Sequence, residues 1–402
     1  MQDNNIISFL DLPDIIATEL IQTEDKYIFV AENKQKSIKC PECHQITNKV
    51  LDRRWQNIDD IPIRNKQVII RLEKKRYRCP HCGKRGIPES YESIESYARK
   101  TTRYDKHIAN EAVAKDYSRV ARENNFSYTA IENAVCKQID PIIAKRTKNL
   151  DDIEAISIDE FAILKKHKYG VVISDPINKR IIDILPSRKK DDLIKYFKSW
   201  PENKLHQIKY FSMDMWRPYK SVAKAVFPWA EIVVDKFHLV AKMNEALDDI
   251  RKEEQAKLGR TKRKRFYMSR MLLKKSGEDL TDKDHQKLIK LFKLSPALEK
   301  AWELKEEFRD LMQIDKLKEA KTALDDWYNR VSDSQLEPFY KAKKMIKRWE
   351  NNVFNYFTTK ITNGFAEGIN NKIKLIKRIG YGVPNITNLR RRVFHSMINL
   401  VS

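Results

Sequence analysis

Two cysteine pairs, Cys40-Pro-Glu-Cys43 and Cys79-Pro-His-Cys82, constrain this chain more than any other feature. A C-x2-C step lets two sulfurs grip one ion from a single tight turn, and two such knuckles complete a tetrahedral four-thiolate zinc site. Gly83 follows the second knuckle, where the turn needs a permissive backbone. His44 and His81 could stand in as ligands, but four thiolates make them unnecessary. Between the knuckles Val68, Ile70 and Leu72 alternate with Ile69, Arg71 and Glu73, the period-two signature of a half-buried strand. Residues 1–95 therefore read as a β-ribbon carrying structural Zn²⁺ on Cys40, Cys43, Cys79 and Cys82. The alternative is two unrelated thiol turns or a redox pair. The fifth cysteine, Cys136, lies in a helical pattern and reads as a small core residue.

Charge points to the partner. The chain has 79 Lys and Arg against 56 Asp and Glu, a formal +23. Such an excess favours a polyanion, nucleic acid first and an anionic membrane surface second. A hydrophobic share of 41% and an aromatic share of 10% exclude a mainly disordered chain. No uncharged apolar run reaches the roughly 18 residues of a membrane span. The start, Met1-Gln2-Asp3-Asn4-Asn5, lacks the positive region of a signal peptide, so a cytoplasmic location is expected. Around the second knuckle, Lys74, Lys75, Arg76, Arg78, Lys84 and Arg85 cluster with Tyr77, and Glu73 is the one adjoining acid. They are expected to touch phosphates, the plain alternative being a solvated strand face.

Residues 96–150 turn helical. Ile108, Ala112 and Val113 form one apolar stripe; Ser118 is a candidate cap for a short helix, Arg119–Asn124. Asn125-Phe126 forms a turn, and Ser127 a cap for a second helix carrying Ile131, Ala134, Val135 and Ile139. These lengths match a helix-turn-helix whose second helix would offer Tyr128, Thr129, Glu132 and Asn133 to a DNA groove. A plain three-helix bundle has the same pattern. Pro141 and Lys145-Arg146-Thr147-Lys148-Asn149 read as a linker.

Residues 151–240 change grammar again. Ile156-Ser-Ile-Asp159 is a short apolar strand with a carboxylate near its end. Tyr169–Ser174 and Arg180–Leu185 read as two further strands, and Ile208–Asp214 as a fourth strand that again ends in a carboxylate. A helix and a fifth strand, Glu231–Val234, follow. Three meandering strands and then alternating helix and strand is the order of an RNase H-like sheet, in which strands one and four are neighbours. Asp159 and Asp214 would then converge, and two adjacent carboxylates call for a cation. Oxygen ligands of this kind suit Mg²⁺ or Mn²⁺, two ions in a phosphoryl-transfer site. A third carboxylate is needed, and Glu367 in Asn363-Gly-Phe-Ala-Glu367-Gly-Ile-Asn-Asn-Lys is the best candidate. It opens a basic stretch with Lys372, Lys374, Lys377 and Arg378 as candidate DNA contacts; residues 368–402 hold seven Lys or Arg and no acid. Residues 241–352 read as an all-α insertion, and 353–402 as the final helix of the core with a basic tail. The expected fold class is multidomain α+β.

Taken together, these motifs resemble the DDE transposases of bacterial insertion sequences, specifically the ISL3 family. The resemblance is carried by the double-knuckle ribbon, the helix-turn-helix pattern, Ser157-Ile-Asp159-Glu-Phe, Ser212-Met-Asp214-Met-Trp-Arg-Pro-Tyr, Val234-Asp235-Lys-Phe-His238 and Asn363-Gly-Phe-Ala-Glu367. It implies that Asp159, Asp214 and Glu367 form a metal-binding triad and that Asp235 and His238 match a D-x2-H element near it. It also implies cleavage and strand transfer at terminal inverted repeats and a homodimer on DNA, with no nucleotide cofactor and no membrane. Two rival expectations are a DNA-binding regulator derived from a transposase, and an RNase H-like structure-specific nuclease.

Overall fold

The computed structural model describes residues 10–164, 167–383 and 385–398. The leader reading rested on residues outside this set. Two compact units divide the chain: Met1–Ile143 with Ile379–Gly382 and Phe394–Ser402, and Ala144–Arg378 with Val383–Val393. Among the described residues no helix is long and apolar enough to cross a membrane.

The first unit starts as a sheet. Strands β1 (Ile15–Gln22) and β2 (Lys26–Asn33) form a hairpin; the short β3 (Ile38–Lys39) and β4 (Ile46–Thr47) flank the first knuckle. Strands β5 (Val50–Ile63) and β6 (Lys66–Tyr77) form a long hairpin, and β7 (Ile87–Pro88) joins the edge of β6 beyond the second knuckle. The order is β1-β2-β6-β5, with β2 and β6 parallel. Arg64 and Asn65, at φ 51° and 63°, close the β5–β6 turn in the left-handed conformation that suits the twist of a tight hairpin. Val68, Ile70 and Leu72 are each 0% exposed and pack on Phe29 and Ile58. Each such side chain contributes roughly 1.5–3 kcal/mol of burial.

Helices Thr102–Ala114, Tyr117–Glu123 and Tyr128–Lys148 follow. The cap of the middle helix is Asp116, whose carboxylate accepts from the Arg119 amide, and not the expected Ser118. Asn125 takes φ 57° in the turn, and Ser127 Oγ accepts from the Ala130 amide. The expected linker at Pro141 is instead the continuation of the third helix to Lys148. Ile139 and Ile143 are both buried on either side of Pro141, so packing outweighs its missing amide. Cys136 is half-buried on that helix.

The second unit is built on strands β8 (Ala155–Leu164), β9 (Lys168–Asp175), β10 (Arg180–Leu185), β11 (Tyr210–Met213) and β12 (Glu231–Val234), in the order β10-β9-β8-β11-β12. The first three pair antiparallel; β11 and β12 add in parallel beside β8. Helices Lys190–Lys198 and Arg217–Val226 connect the later strands. Beyond β12 the regular structure is helical, running from Lys236–Ala256 through Glu337–Thr359 to Gly364–Ile379 and Ile386–Ile398. One hydrophobic core runs from the sheet through the helices between Lys236 and Thr359.

Candidate functional site

The register of the parallel strands sets the site. On β8 and β11, Ser212 pairs with Ser157, so two residues further Asp214 stands level with Asp159. On β11 and β12, Met213 pairs with Val234, so Asp235 stands level with Asp214. Three aspartates thus share one row across three adjacent parallel strands; Asp214 and Asp235 follow the last residues of β11 and β12, whereas Asp159, expected near a strand end, lies in the middle of β8, which runs on to Leu164. Asp159 and Asp235 are 8% and 2% exposed, and Asp214 is half-buried.

Asn363 braces the row from below. Its carboxamide oxygen accepts from Ser157 Oγ at 2.7 Å and Ser212 Oγ at 2.6 Å, its Nδ2 donates to the Ile158 carbonyl at 3.3 Å, and its amide donates to Asp235 Oδ1 at 3.1 Å. Successive side chains alternate across a strand, so the paired serines lie on the same face as the acids two residues on. One helical turn past Glu367, Asn370 Nδ2 donates to Asp159 Oδ2 at 2.7 Å and to the Glu160 carbonyl at 3.1 Å. Asn363 and Asn370 stand at the site, and sequence reasoning quoted both inside a motif without giving them a role.

The electrostatics are those of buried acids held close together. Burial pushes the Asp159 carboxyl up to about 6. Burial, and after it the charges of Asp159, Asp235 and Glu160, pushes Asp214 up to about 8. Asp235 is also raised, by burial first. Asp214 Oδ1 and Asn370 Oδ1 are buried acceptors without a hydrogen bond. His238 Nε2 comes within 2.6 Å of that Asp214 oxygen, close in distance but not aligned as a hydrogen bond. Ligand atoms of Asp159, Asp214 and His238 all lie within 4.8 Å of one another. Two level carboxylates, one imidazole and two unsatisfied oxygens fit a divalent cation well. Glu160 turns away and pairs with Arg188 at 2.6 Å.

Glu367 is exposed in the first turn of helix Gly364–Ile379, outside that cluster, and contributes to raising Asp235. Of the basic residues on its helix, Lys374 donates to Asn371 Oδ1, and Arg378 is exposed. Lys372 is half-buried. Lys377 is a correction: its ammonium donates at 2.7 Å to the carbonyls of both Ala162 and Ile163, and so serves the end of β8.

In the first unit Cys40, Cys43, Cys79 and Cys82 converge, with sulfurs 3.6 Å apart for Cys40 and Cys82 and 3.5 Å for Cys43 and Cys79. The two knuckles match residue for residue. His44 and Gly83 donate their amides to the carbonyls of Cys40 and Cys79, both at positive φ, 59° and 77°. The Cys43 backbone amide, chief among the neighbouring donors, holds the Cys40 thiol down to about 7, while burial and the neighbouring thiols push Cys43 and Cys82 up. This is a zinc-ribbon ligand set.

The surrounding cations differ in availability. Arg78 and Arg85 are exposed. Arg76 is tied to Asp52 by two hydrogen bonds, and Lys84 to Glu42 at 2.6 Å. Lys74 is half-buried, 5.2 Å from the Tyr91 ring centroid. Lys75 is the second correction: it is 8% exposed and paired with Glu32 at 2.8 Å and Glu73 at 3.3 Å, so its charge is matched inside the module. Tyr128, Thr129 and Asn133 are exposed on the third helix, and Glu132 is half-buried.

Comparison with known proteins bears on both units. Residues 156–393 match the ISL3-type DDE transposases. Residues 36–82 match the zinc finger of the transposases of IS204, IS1001, IS1096 and IS1165. The transposase for insertion sequence element IS1001 of Bordetella parapertussis is 26% identical over 350 residues, covering 86% of this chain and 86% of that protein. The transposase for insertion sequence element IS1557 of Mycobacterium tuberculosis is 26% identical over 353 residues, covering 82% of this chain and 78% of that protein.

Proposed function

The chain belongs to the ISL3 family of transposases and is a DNA transposase, and from that premise we propose how it works. The zinc ribbon and the helix pair Tyr117–Glu123 and Tyr128–Lys148, acting as a helix-turn-helix, bind the terminal inverted repeats of an insertion sequence. Tyr128, Thr129 and Asn133 read base edges, while Arg78, Arg85, Lys374 and Arg378 meet phosphates. The second unit, an RNase H-like core with an all-α insertion, cuts the element end and joins it to target DNA.

Asp159 and Asp214 hold Mg²⁺ or Mn²⁺, with Glu367 as the third carboxylate. Bound cations would supply electrophilic activation of the phosphodiester and would ease deprotonation of the attacking water or hydroxyl. The protein supplies the rest. Asn363 locks β8, β11 and β12 at the depth that keeps the acids level, and Asn370 fixes the orientation of Asp159. His238 neighbours the Asp214 oxygen and orients that carboxylate. Two protomers act together on DNA, because two element ends must be cut and joined in concert.

The observation that carries this reading is the shared register row of Asp159 and Asp214, with buried oxygens left unsatisfied. The test is cleavage of end-containing DNA in Mg²⁺ by Asp159→Ala and Asp214→Ala. Cleavage should vanish while end binding persists; full activity in either variant ends the proposal. Glu367→Gln and Asp235→Asn, run in parallel, assign the third carboxylate: loss of cleavage in the first alone supports Glu367.

A further inference from the structure

The open face of the amino-terminal sheet carries a feature to which the proposed function gives no role. Across β1, β2 and β6, Ile21 pairs with Ile28 and Ile28 with Ile69, making an apolar row on the face opposite the Val68, Ile70 and Leu72 core. A cleft of about 930 Å³ opens over this row. Around it stand two aromatic side chains, Trp55 at 51% exposure and Tyr97 at 96%, and four cations, Arg54, Arg71, Lys74 and Arg99; among the described residues no carboxylate lines it, the half-buried Asp59 standing opposite Ile69 at the end of the row. The Arg71 guanidinium lies 5.3 Å from the Trp55 ring centroid, which steadies an indole that is still half exposed. Glu73, opposite Trp55 in the ladder, is neutralised by Arg53 and Lys75. Burial first, and then the neighbouring Arg54 charge, lowers the Lys74 ammonium against the opposing pull of Glu89.

Exposed rings of this size, Trp55 on β5 and Tyr97 in a turn beside the sheet, are unfavourable in water unless something covers them. The surrounding charge selects an anion, and the rings select a partner with flat apolar faces. Duplex DNA offers phosphates and base edges, but its base faces are stacked within the helix. Single strands offer both phosphates and open base faces, and proteins bind them with aromatic platforms set in basic grooves. We propose that this sheet face binds single-stranded DNA, with bases stacking on Trp55 and Tyr97 and phosphates meeting Arg54, Arg71 and Arg99. This deepens the transposase reading, on which it rests for the choice of DNA as partner: an enzyme that opens DNA ends generates unpaired strand beside its binding site.

The test uses the full chain with fluorescein-labelled oligo(dT) and, separately, a blunt duplex carrying the element end. The double variant Trp55→Ala/Tyr97→Ala should weaken oligo(dT) binding by about tenfold or more, while leaving end-duplex binding within about twofold. Trp55→Phe, which keeps a stacking ring, should retain most of the single-strand affinity. Arg71→Gln/Arg99→Gln should flatten the salt dependence of oligo(dT) binding. Absence of oligo(dT) binding by the parent protein overturns the proposal, as does undiminished affinity in the double variant. An equal loss on both DNAs also overturns it, because the face would then be a general phosphate contact. Retained cleavage of end DNA in the double variant keeps the transposase reading standing in each case, so the two can fail separately.

Discussion

His238 Nε2 lies 2.6 Å from Asp214 Oδ1, an oxygen that has no hydrogen bond of its own. The histidine comes from the first turn of helix Lys236–Ala256, and the aspartate from the residue after β11. A side chain so close to a buried carboxylate decides how that carboxylate presents itself to a cation. His238→Ala should therefore weaken the apparent Mn²⁺ affinity by about 10–100-fold, the usual penalty for removing an orienting partner. End-duplex binding should stay as it was. Unchanged Mn²⁺ affinity, read from the metal dependence of cleavage and from Mn²⁺ paramagnetic resonance, would show that the contact is incidental.

Asn363 makes four hydrogen bonds from a buried position. Asn363→Ala leaves two hydroxyls and a carbonyl seeking partners, although Ser157 and Ser212 are close enough in the ladder to re-pair with each other. The expected loss is about 2–4 kcal/mol, seen as a lower urea midpoint at unchanged slope. A shift worth under about 0.5 kcal/mol would mean that the strands hold their register without the brace.

The acids also set a pH dependence. Folding raises Asp214 from its ordinary 3.8 to about 8 and Asp159 from 3.8 to about 6. A carboxyl raised in this way binds its proton more tightly when folded, so its stabilising contribution is full below the ordinary value and is lost as pH climbs through the raised one. Between about pH 4 and pH 8 the cation-poor protein should lose thermal stability, and Mg²⁺ should restore more of it at the alkaline end than at the acid end. A melting temperature that rises with pH across this window, with no effect of Mg²⁺, is the contrary result.

At the ribbon, metal binding and local folding are one equilibrium. Cys40→Ser should release zinc and abolish sequence-specific end binding, while non-specific, salt-sensitive DNA binding survives through the remaining cations. Zinc content by atomic absorption and a binding titration on end and scrambled duplexes check both halves. Intact end preference after complete zinc loss would move recognition away from the ribbon.

Much of the site was legible because its elements are local. Each knuckle is a single turn, and the alternation in Ser157-Ile-Asp159 and Ser212-Met-Asp214 marks two strands, although β8 runs five residues past Asp159. What escaped depends on distant partners. Asn363 meets Ser157 across 206 positions, and Asn370 meets Asp159 across 211. A polar amide on a helix reads as solvated until the sheet beneath it is known. Lys75 looked like a surface cation because Glu32 reaches it from β2, a strand that joins β6 only through a parallel pairing that no local pattern shows. Lys377 was misread for the same reason, since its acceptors are carbonyls of β8. Asp235 joins the acid row only through the β11–β12 register.

The central claim is that Asp159 and Asp214 share a divalent cation where DNA is cut. Crystals of the protein with element-end DNA and Mn²⁺ test it most directly, through the anomalous signal of the metal. The expected result is a peak at about 2.0–2.3 Å from carboxylate oxygens of both residues, facing the scissile phosphate. A map with no peak between them, and with the Asp214 oxygen still occupied by His238 alone, would contradict the account.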